Sequence, residues 1–333
     1  MKSLLSIPTS VTAAAAAAAA AVFIAKEVAA APTGSGALQN ILDNTHRSPL
    51  YGYPTDLTRG VIPKPFHSHN DYWRDVPFYS ALSYGAVSVE ADVWLVDGEL
   101  YVGHHRSALT TARTLDALYI QPILDTLQRQ NPTTQFTTGD EGVHGVFDTV
   151  PELTLYFFID LKTDADATFA AVLTALEPLR ARGYLTTAHA NGTLAPGPVT
   201  VLGTGNTQLE QVLALSANES APARDLFFDA PLQALKDDER VAGPEVAPIA
   251  SVDFGSLFNV TRTDDVARVL SENQKKLLRE QVETARERGI ATRYWGLPDF
   301  PVGVRNAVWR VLVEEGVDLL NVDALEDAVE LWG

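Results

Sequence analysis

The chain has no cysteine. That excludes disulfides, thiolate metal sites and a cysteine nucleophile. With no covalent staple, stability must come from a large core of its own. Basic residues are scarce, 25 Lys and Arg against 42 Asp and Glu for a formal net charge of −17, and they form no run. Nucleic acid is therefore not an expected partner. A phosphate-bearing ligand would have to be drawn by local positive charge, such as a metal ion and a lysine. No Gly-x-Gly-x-x-Gly follows a strand-like run, which counts against a nucleotide-binding doubly wound sheet. No repeat of solenoid period is present either.

What is present is a hydrophobic fraction of 46% over 333 residues, enough for one large core. The N-terminus has the pattern of a targeting segment. Lys2 is followed by an apolar, alanine-rich stretch at 4–24, and Ala29-Ala30-Ala31 offers small residues before Pro32. Residues 1–31 are therefore expected to be a signal peptide, giving a secreted protein with no stable membrane insertion after cleavage. An uncleaved signal anchor is the alternative. For a secreted chain, the sequons at Asn191, Asn218 and Asn259 become glycan sites on loops. Residues 32–60, rich in Gly, Pro, Asn and Thr, are expected to be a linker and lead-in.

From residue 61 to 333 strands and helices alternate in a single domain. Strands are expected at 61–66, 86–96, 153–161, 199–202, 226–228, 249–254, 290–295 and 317–322, with a hairpin strand at 100–103 after the Asp97-Gly98 turn. Helices are expected at 73–84, 115–130 (interrupted by Pro122), 164–182, 271–288, 302–314 and 324–332. The 153–161 run is almost wholly apolar, as a strand covered on both faces should be. About eight βα units in roughly 270 residues predict an α/β fold, a TIM-type (β/α)8 barrel. Loop 131–151 and segment 203–224 are expected to shape its mouth.

The chemistry is concentrated in residues 66–105, which hold four of the seven histidines, His67, His69, His104 and His105. Between them Glu90 and Asp92 sit in an apolar, β-branched run, where carboxylates are costly to bury unpaired. Residues i and i+2 of a strand share a face, so Glu90 and Asp92 project together, as do Asp160 and Lys162. Barrel strands bring their C-terminal ends to one mouth. Glu90, Asp92 and Asp160 then make an oxygen-rich site for a hard cation, Mg²⁺ or Ca²⁺. Two histidines suit general acid and base work. Lys162 would place positive charge against phosphoryl oxygens. Spacing alone does not choose between His67 and His69, or between His104 and His105.

SHNDYWR at 68–74, SVEADVWL at 88–95, LYVGH at 100–104, RTLDALYIQPIL at 113–124, IDLK at 159–162, RYWGLP at 293–298 and DLLNVD at 318–323 resemble the fungal Altered inheritance of mitochondria protein 6 family. That family lies within the glycerophosphodiester phosphodiesterase and phospholipase-C-like superfamily of barrels. The resemblance implies a phospholipase-C-like phosphodiesterase barrel with His69 and His104 as the catalytic histidines. It implies Glu90, Asp92 and Asp160 as metal ligands, Lys162 as a catalytic and substrate-binding lysine, and Trp295 as a substrate-facing aromatic. The chain departs from glycerophosphodiester enzymes where His104-His105 replaces His-Asp and His69-Asn70-Asp71 replaces His-Arg-Gly. The expected activity is a metal-dependent phosphoric diester hydrolase acting on a lipid or lysolipid head group, by water or by a neighbouring substrate hydroxyl. The alternative is a non-catalytic barrel that binds a metal or ligand.

Overall fold

A computed structural model describes residues 35–137, 142–215, 223–259 and 269–332. Residues up to Gly52 form one unit and those from Tyr53 onward another. In the first, within the stretch read as linker, Gly36–Thr45 is a helix, α1. Ser35 caps it by accepting from the Leu38 N–H, and it buries no residue.

The second unit is a barrel. Its strands in chain order are β1 (Lys64–Ser68), β2 (Ala86–Val96), β3 (Glu99–Val102), β4 (Leu155–Leu161), β5 (Thr187–Ala188), β6 (Leu194–Ala195), β7 (Val199–Gly205), β8 (Leu226–Pro231), β9 (Ile249–Asp253), β10 (Ala291–Trp295) and β11 (Leu319–Val322). Eight of them, β1, β2, β4 and β7 to β11, pair in parallel, and the β1–β2 pairing closes the ring. Strand β3 folds back antiparallel on β2, carried by the Asp97-Gly98 turn. Strands β5 and β6 form a separate short hairpin.

Helices α2 (Tyr79–Tyr84) and α3 (Gln121–Gln130) follow the first two barrel strands. Helices α4 (Ala165–Ala175) and α5 (Glu177–Arg180) follow β4, and α6 (Leu209–Ala214) follows β7. Helices α7 (Phe254–Phe258) and α8 (Glu272–Glu287) follow β9, α9 (Val302–Glu314) follows β10, and α10 (Leu325–Val329) ends the run. Helix α8 shows why such segments pack. A capping box of Ser271 and Gln274 starts it, and Leu278, Gln281, Val282 and Ala285 form its buried stripe, the i, i+3, i+4, i+7 spacing of an amphipathic helix. Strand β4 buries Leu155, Phe157, Phe158 and Ile159 completely, since helices cover one face and the barrel interior the other.

Four expectations need correction. The helix expected at 73–84 begins only at Tyr79, because Pro77 cannot continue a helix from the short turn at Asp71–Trp73. The helix expected at 115–130 opens as a π-helical turn, Asp116–Ile120, ahead of Pro122, whose missing N–H breaks the regular ladder. Strand β7 runs past Leu202 to Gly205, and β8 past Phe228 to Pro231. The described residues of loop 131–151, 131–137 and 142–151, do not line the mouth. The second stretch leads into β4 at the opposite end, where Thr149 Oγ1 donates to the Val61 carbonyl and Thr58 Oγ1 to the Val146 carbonyl, both ahead of β1. Only the loops that leave the C-terminal ends of strands reach the mouth.

Candidate active site

Strand register assembles the carboxylates. In the β2–β4 pairing Asp92 lies opposite Asp160, and in the β4–β7 pairing Asp160 lies opposite Thr204. Glu90 is one inward step deeper on β2. One oxygen from each of Glu90, Asp92 and Asp160 falls within a cluster no more than 4.8 Å across. A cavity of about 440 Å³ opens over them, lined by His69, Asn70, His104, Lys162, Gly205, Arg293 and Trp295 among others. All seven residues singled out from the sequence meet there.

Each carboxylate sits in its own electrostatic setting. Asp92 Oδ2 accepts from Tyr72 Oη at 2.7 Å and faces Lys162 Nζ at 3.1 Å and His104 Nδ1 at 3.2 Å. Burial and the neighbouring Glu90 charge raise its pKa, against Lys162 and Tyr72. Asp160 Oδ2 accepts from Lys162 Nζ at 2.8 Å. Burial, offset in part by Lys162 and reinforced by Asp92, pushes Asp160 up to about 6. Burial works against ionisation of Glu90 too, but the positive charge around it, with Arg293 and then His69 among the contributors, outweighs burial and holds Glu90 below the usual carboxylate range. The Asn70 backbone N–H donates to Glu90 Oε2 at 3.1 Å. Asn70 makes that contact from a left-handed backbone conformation, φ 47°, which asparagine adopts more readily than most residues. Burial lowers the Lys162 pKa, yet Asp160 and Asp92 raise it further, so it stays an ammonium.

The fit of a cation can be judged from atoms left over. Asp92 Oδ1 and Asp160 Oδ1 are buried and make no hydrogen bond. Buried acceptors without partners are rare and costly. Oxygen ligands in a cluster of three carboxylates suit a hard divalent cation. The donor set therefore fits a metal ion.

The four histidines separate. His67 is fully buried. Arg293 Nη1 donates to its Nε2 at 3.0 Å, so the ring proton sits on Nδ1 and goes to Ser88 Oγ at 2.7 Å. Burial, then Arg293, lowers its pKa to about 4, so its 3.4 Å contact with Glu90 is not an ion pair. His67 belongs to the barrel interior. His69 lies just past β1, with Nε2 3.9 Å from Glu90 Oε2 and Nδ1 3.0 Å from Asp323 Oδ1. Burial works to lower its pKa, but the Asp323 hydrogen bond and the Glu90 charge outweigh it and the net shift is upward. His104 ends the hairpin, its ring edge-on to Trp73 at 5.2 Å and to His105 at 4.4 Å. His105 does not line the cavity. Trp295, at the end of β10, is 39% exposed and lines the cavity.

Several residues of the site carry no readable sequence signal. Tyr72 Oη lies within hydrogen-bond distance of Asn70 Oδ1, Asp92 Oδ2 and His104 Nδ1, with one proton to donate among them, although an aromatic there reads as core. Arg293 is buried under the carboxylates, bonded to Ser251, His67, Asn321 and Asp229. Asp323 lies at the far end of the chain from His69. The only pointer to the last two was their place in the RYWGLP and DLLNVD segments.

A family model described as AIM6-like phosphodiesterase domain matches residues 55–229. An Altered inheritance of mitochondria protein 6 homolog from Arthroderma benhamiae is 46% identical over 300 residues, 88% of this chain and 92% of that protein. Altered inheritance of mitochondria protein 6 from Eremothecium gossypii is 38% identical over 284 residues, 81% of this chain and 70% of that protein. The Saccharomyces cerevisiae protein of that name is 33% identical over 283 residues, 81% of this chain and 71% of that protein. These names overturn the expectation of a secreted protein, since the relatives are named for the inheritance of mitochondria. The glycan reading of Asn191, Asn218 and Asn259 rested on that expectation. Residues 1–31, assigned to a signal peptide, and Asn218 lie outside the described residues. Among those described, no helix is long and apolar enough to cross a membrane. By the span of the family model and by identity over most of its length, the chain belongs to the Altered inheritance of mitochondria protein 6 family and carries an AIM6-like phosphodiesterase domain.

Proposed function

We propose that the chain is a metal-dependent phosphoric diester hydrolase acting on a lipid or lysolipid head group. The observation that carries this reading is the pair of orphaned oxygens, Asp92 Oδ1 and Asp160 Oδ1, in a cavity shared with two imidazoles. Glu90, Asp92 and Asp160 would hold Mg²⁺ or Ca²⁺, which supplies positive charge against a bound phosphoryl group. Lys162 adds a second positive charge at the same wall of the cavity. One of His69 and His104 takes the proton of the attacking hydroxyl, from water or from the substrate. The other gives a proton to the leaving oxygen as the new P–O bond forms and the old one breaks. Tyr72, through Asp92 and His104 Nδ1, holds one imidazole against the carboxylate cluster. Trp295, which lines the cavity, and the exposed Trp73 beside His104 offer apolar surface to the part of the substrate beyond the phosphate.

Product analysis on lysophospholipids, sphingomyelin and glycerophosphodiesters, with Mg²⁺ or Ca²⁺, tests this and separates hydrolysis from cyclic phosphate formation. His69→Ala and His104→Ala should each lose at least ~10²-fold in turnover. Unchanged turnover in both variants would refute the assignment. Cation binding by the wild-type protein without turnover of any diester would instead favour a binding barrel.

A further inference from the structure

We infer that Asp323 fixes the tautomer of His69, so that Nε2 is the nitrogen presented to the cavity. This rests on the proposed function only for its consequence in turnover. The geometry stands apart from it.

His69 Nδ1 lies 3.0 Å from Asp323 Oδ1. A carboxylate only accepts, so the shared proton is on Nδ1. Asn70 Nδ2 is a second neighbour of that nitrogen, at 3.4 Å, but it is uncharged and farther away. A neutral imidazole carries one proton, so Nε2 keeps its lone pair. That nitrogen is the one turned to Glu90, 3.9 Å from Oε2, and the His69 ring lines the cavity.

Among the described residues the Asp323 side chain has this one hydrogen-bond partner. Arg74, close by, does not take its carboxylate. Its Nη1 donates instead to the Asp323 backbone carbonyl at 2.6 Å, and Nη2 to the carbonyls of His69 at 2.9 Å and Val322 at 3.3 Å. Arg74 Nε reaches Ser68 Oγ at 3.0 Å, and the His69 N–H donates to the Val322 carbonyl at 3.0 Å. One guanidinium thus ties the backbone at the end of β1 to the backbone at the end of β11, on either side of the imidazole–carboxylate contact. His104 is placed differently. Its Nδ1 partner, Asp92 Oδ2, is shared with Tyr72 and Lys162 and belongs to the carboxylate cluster. Asp323 is a positioning residue in the sense that a second carboxylate orients an imidazole elsewhere.

The test is spectroscopic first. Protein labelled with ¹⁵N-histidine is recorded in long-range ¹H–¹⁵N spectra above the titration of the ring, with His69→Asn assigning the signal. The wild-type protein should show the Nδ1–H tautomer. Asp323→Ala removes the acceptor, and Asp323→Asn sets an N–H donor against Nδ1, as in a serine protease whose aspartate is so replaced. Both should move His69 to the Nε2–H form. Turnover of an accepted diester should then fall at least ~10-fold in kcat, with KM within about threefold. Persistence of Nδ1–H in both variants overturns the inference. If the tautomer moves but the wild-type protein cleaves no diester, the proposed function fails and the role of Asp323 stands.

Discussion

The backbone of Gly205 is pressed against Asp160, so that a β-carbon on Gly205 would overlap Asp160 Oδ1, the oxygen that has no hydrogen-bond partner. Gly205 also has φ +64°, a conformation costing other residues about 1–2 kcal/mol. Space beside this carboxylate is kept open by the absence of a side chain. Gly205→Ala should therefore displace Asp160 as well as strain the backbone. Mg²⁺ or Ca²⁺ affinity by calorimetric titration should fall by about 10-fold or more, with a lower Tm. An unchanged cation affinity would mean that Asp160 Oδ1 is not a ligand.

Cation affinity should depend on pH through Asp160. Its carboxyl titrates near 6, and a ligand must be deprotonated to bind. Below that pH a proton has to be displaced. The apparent affinity should therefore fall by up to about tenfold for each unit below 6. Titrations at pH 7.5 and pH 5 read this directly.

His67 should contribute acid sensitivity to the fold. Its pKa is lowered from 6.5 to about 4, so the neutral ring is favoured in the folded state. The stabilisation is full above 6.5 and is lost as pH falls toward 4, by at most about 1.4 kcal/mol per unit. Denaturant unfolding at pH 7 and pH 5 should show this loss in the wild-type protein and a smaller one in His67→Gln. An equal pH dependence in the two would place the acid sensitivity elsewhere.

Arg74→Lys should not replace Arg74. Four acceptors, Ser68 Oγ and the carbonyls of His69, Val322 and Asp323, are matched by the guanidinium fork, which an ammonium cannot reproduce. Loss of these bonds should cost about 1–3 kcal/mol. Thermal unfolding should give Arg74→Lys and Arg74→Ala similar decreases in Tm.

Trp295→Ala should leave stability nearly unchanged, because the ring is partly exposed and lines the cavity rather than the core. It should raise KM several-fold for diesters with an apolar chain and less for those without one. Equal effects on both substrate types would remove Trp295 from the substrate-contacting wall.

The barrel was legible because parallel strands are near-continuous apolar runs and the alternation with amphipathic helices is regular. Glu90 with Asp92, and Asp160 with Lys162, were legible through the two-residue period of a strand. That period does not tell which residue of β4 faces Asp92. Register supplies that answer, and it depends on packing all round the ring. Gly203-Thr204-Gly205 has the composition of a turn, yet it extends β7, and its two glycines let it approach Thr207 and Leu226 at Gly203 and β4 at Gly205. Loop 131–151 was misplaced because polarity marks a loop but not the end of the barrel to which it belongs. The link between His69 and Asp323 spans 254 residues and has no local signature.

That span has a consequence for how the protein comes into being. As the chain emerges during synthesis, Glu90, Asp92, His104, Asp160 and Lys162 are all made within its first half. His69 is made earlier still, but its carboxylate partner arrives only with the end of the last strand. A nascent barrel, or one cut short before β11, would present the acidic cluster with its first imidazole unanchored. Completion of the last strand is thus built into the assembly of the site.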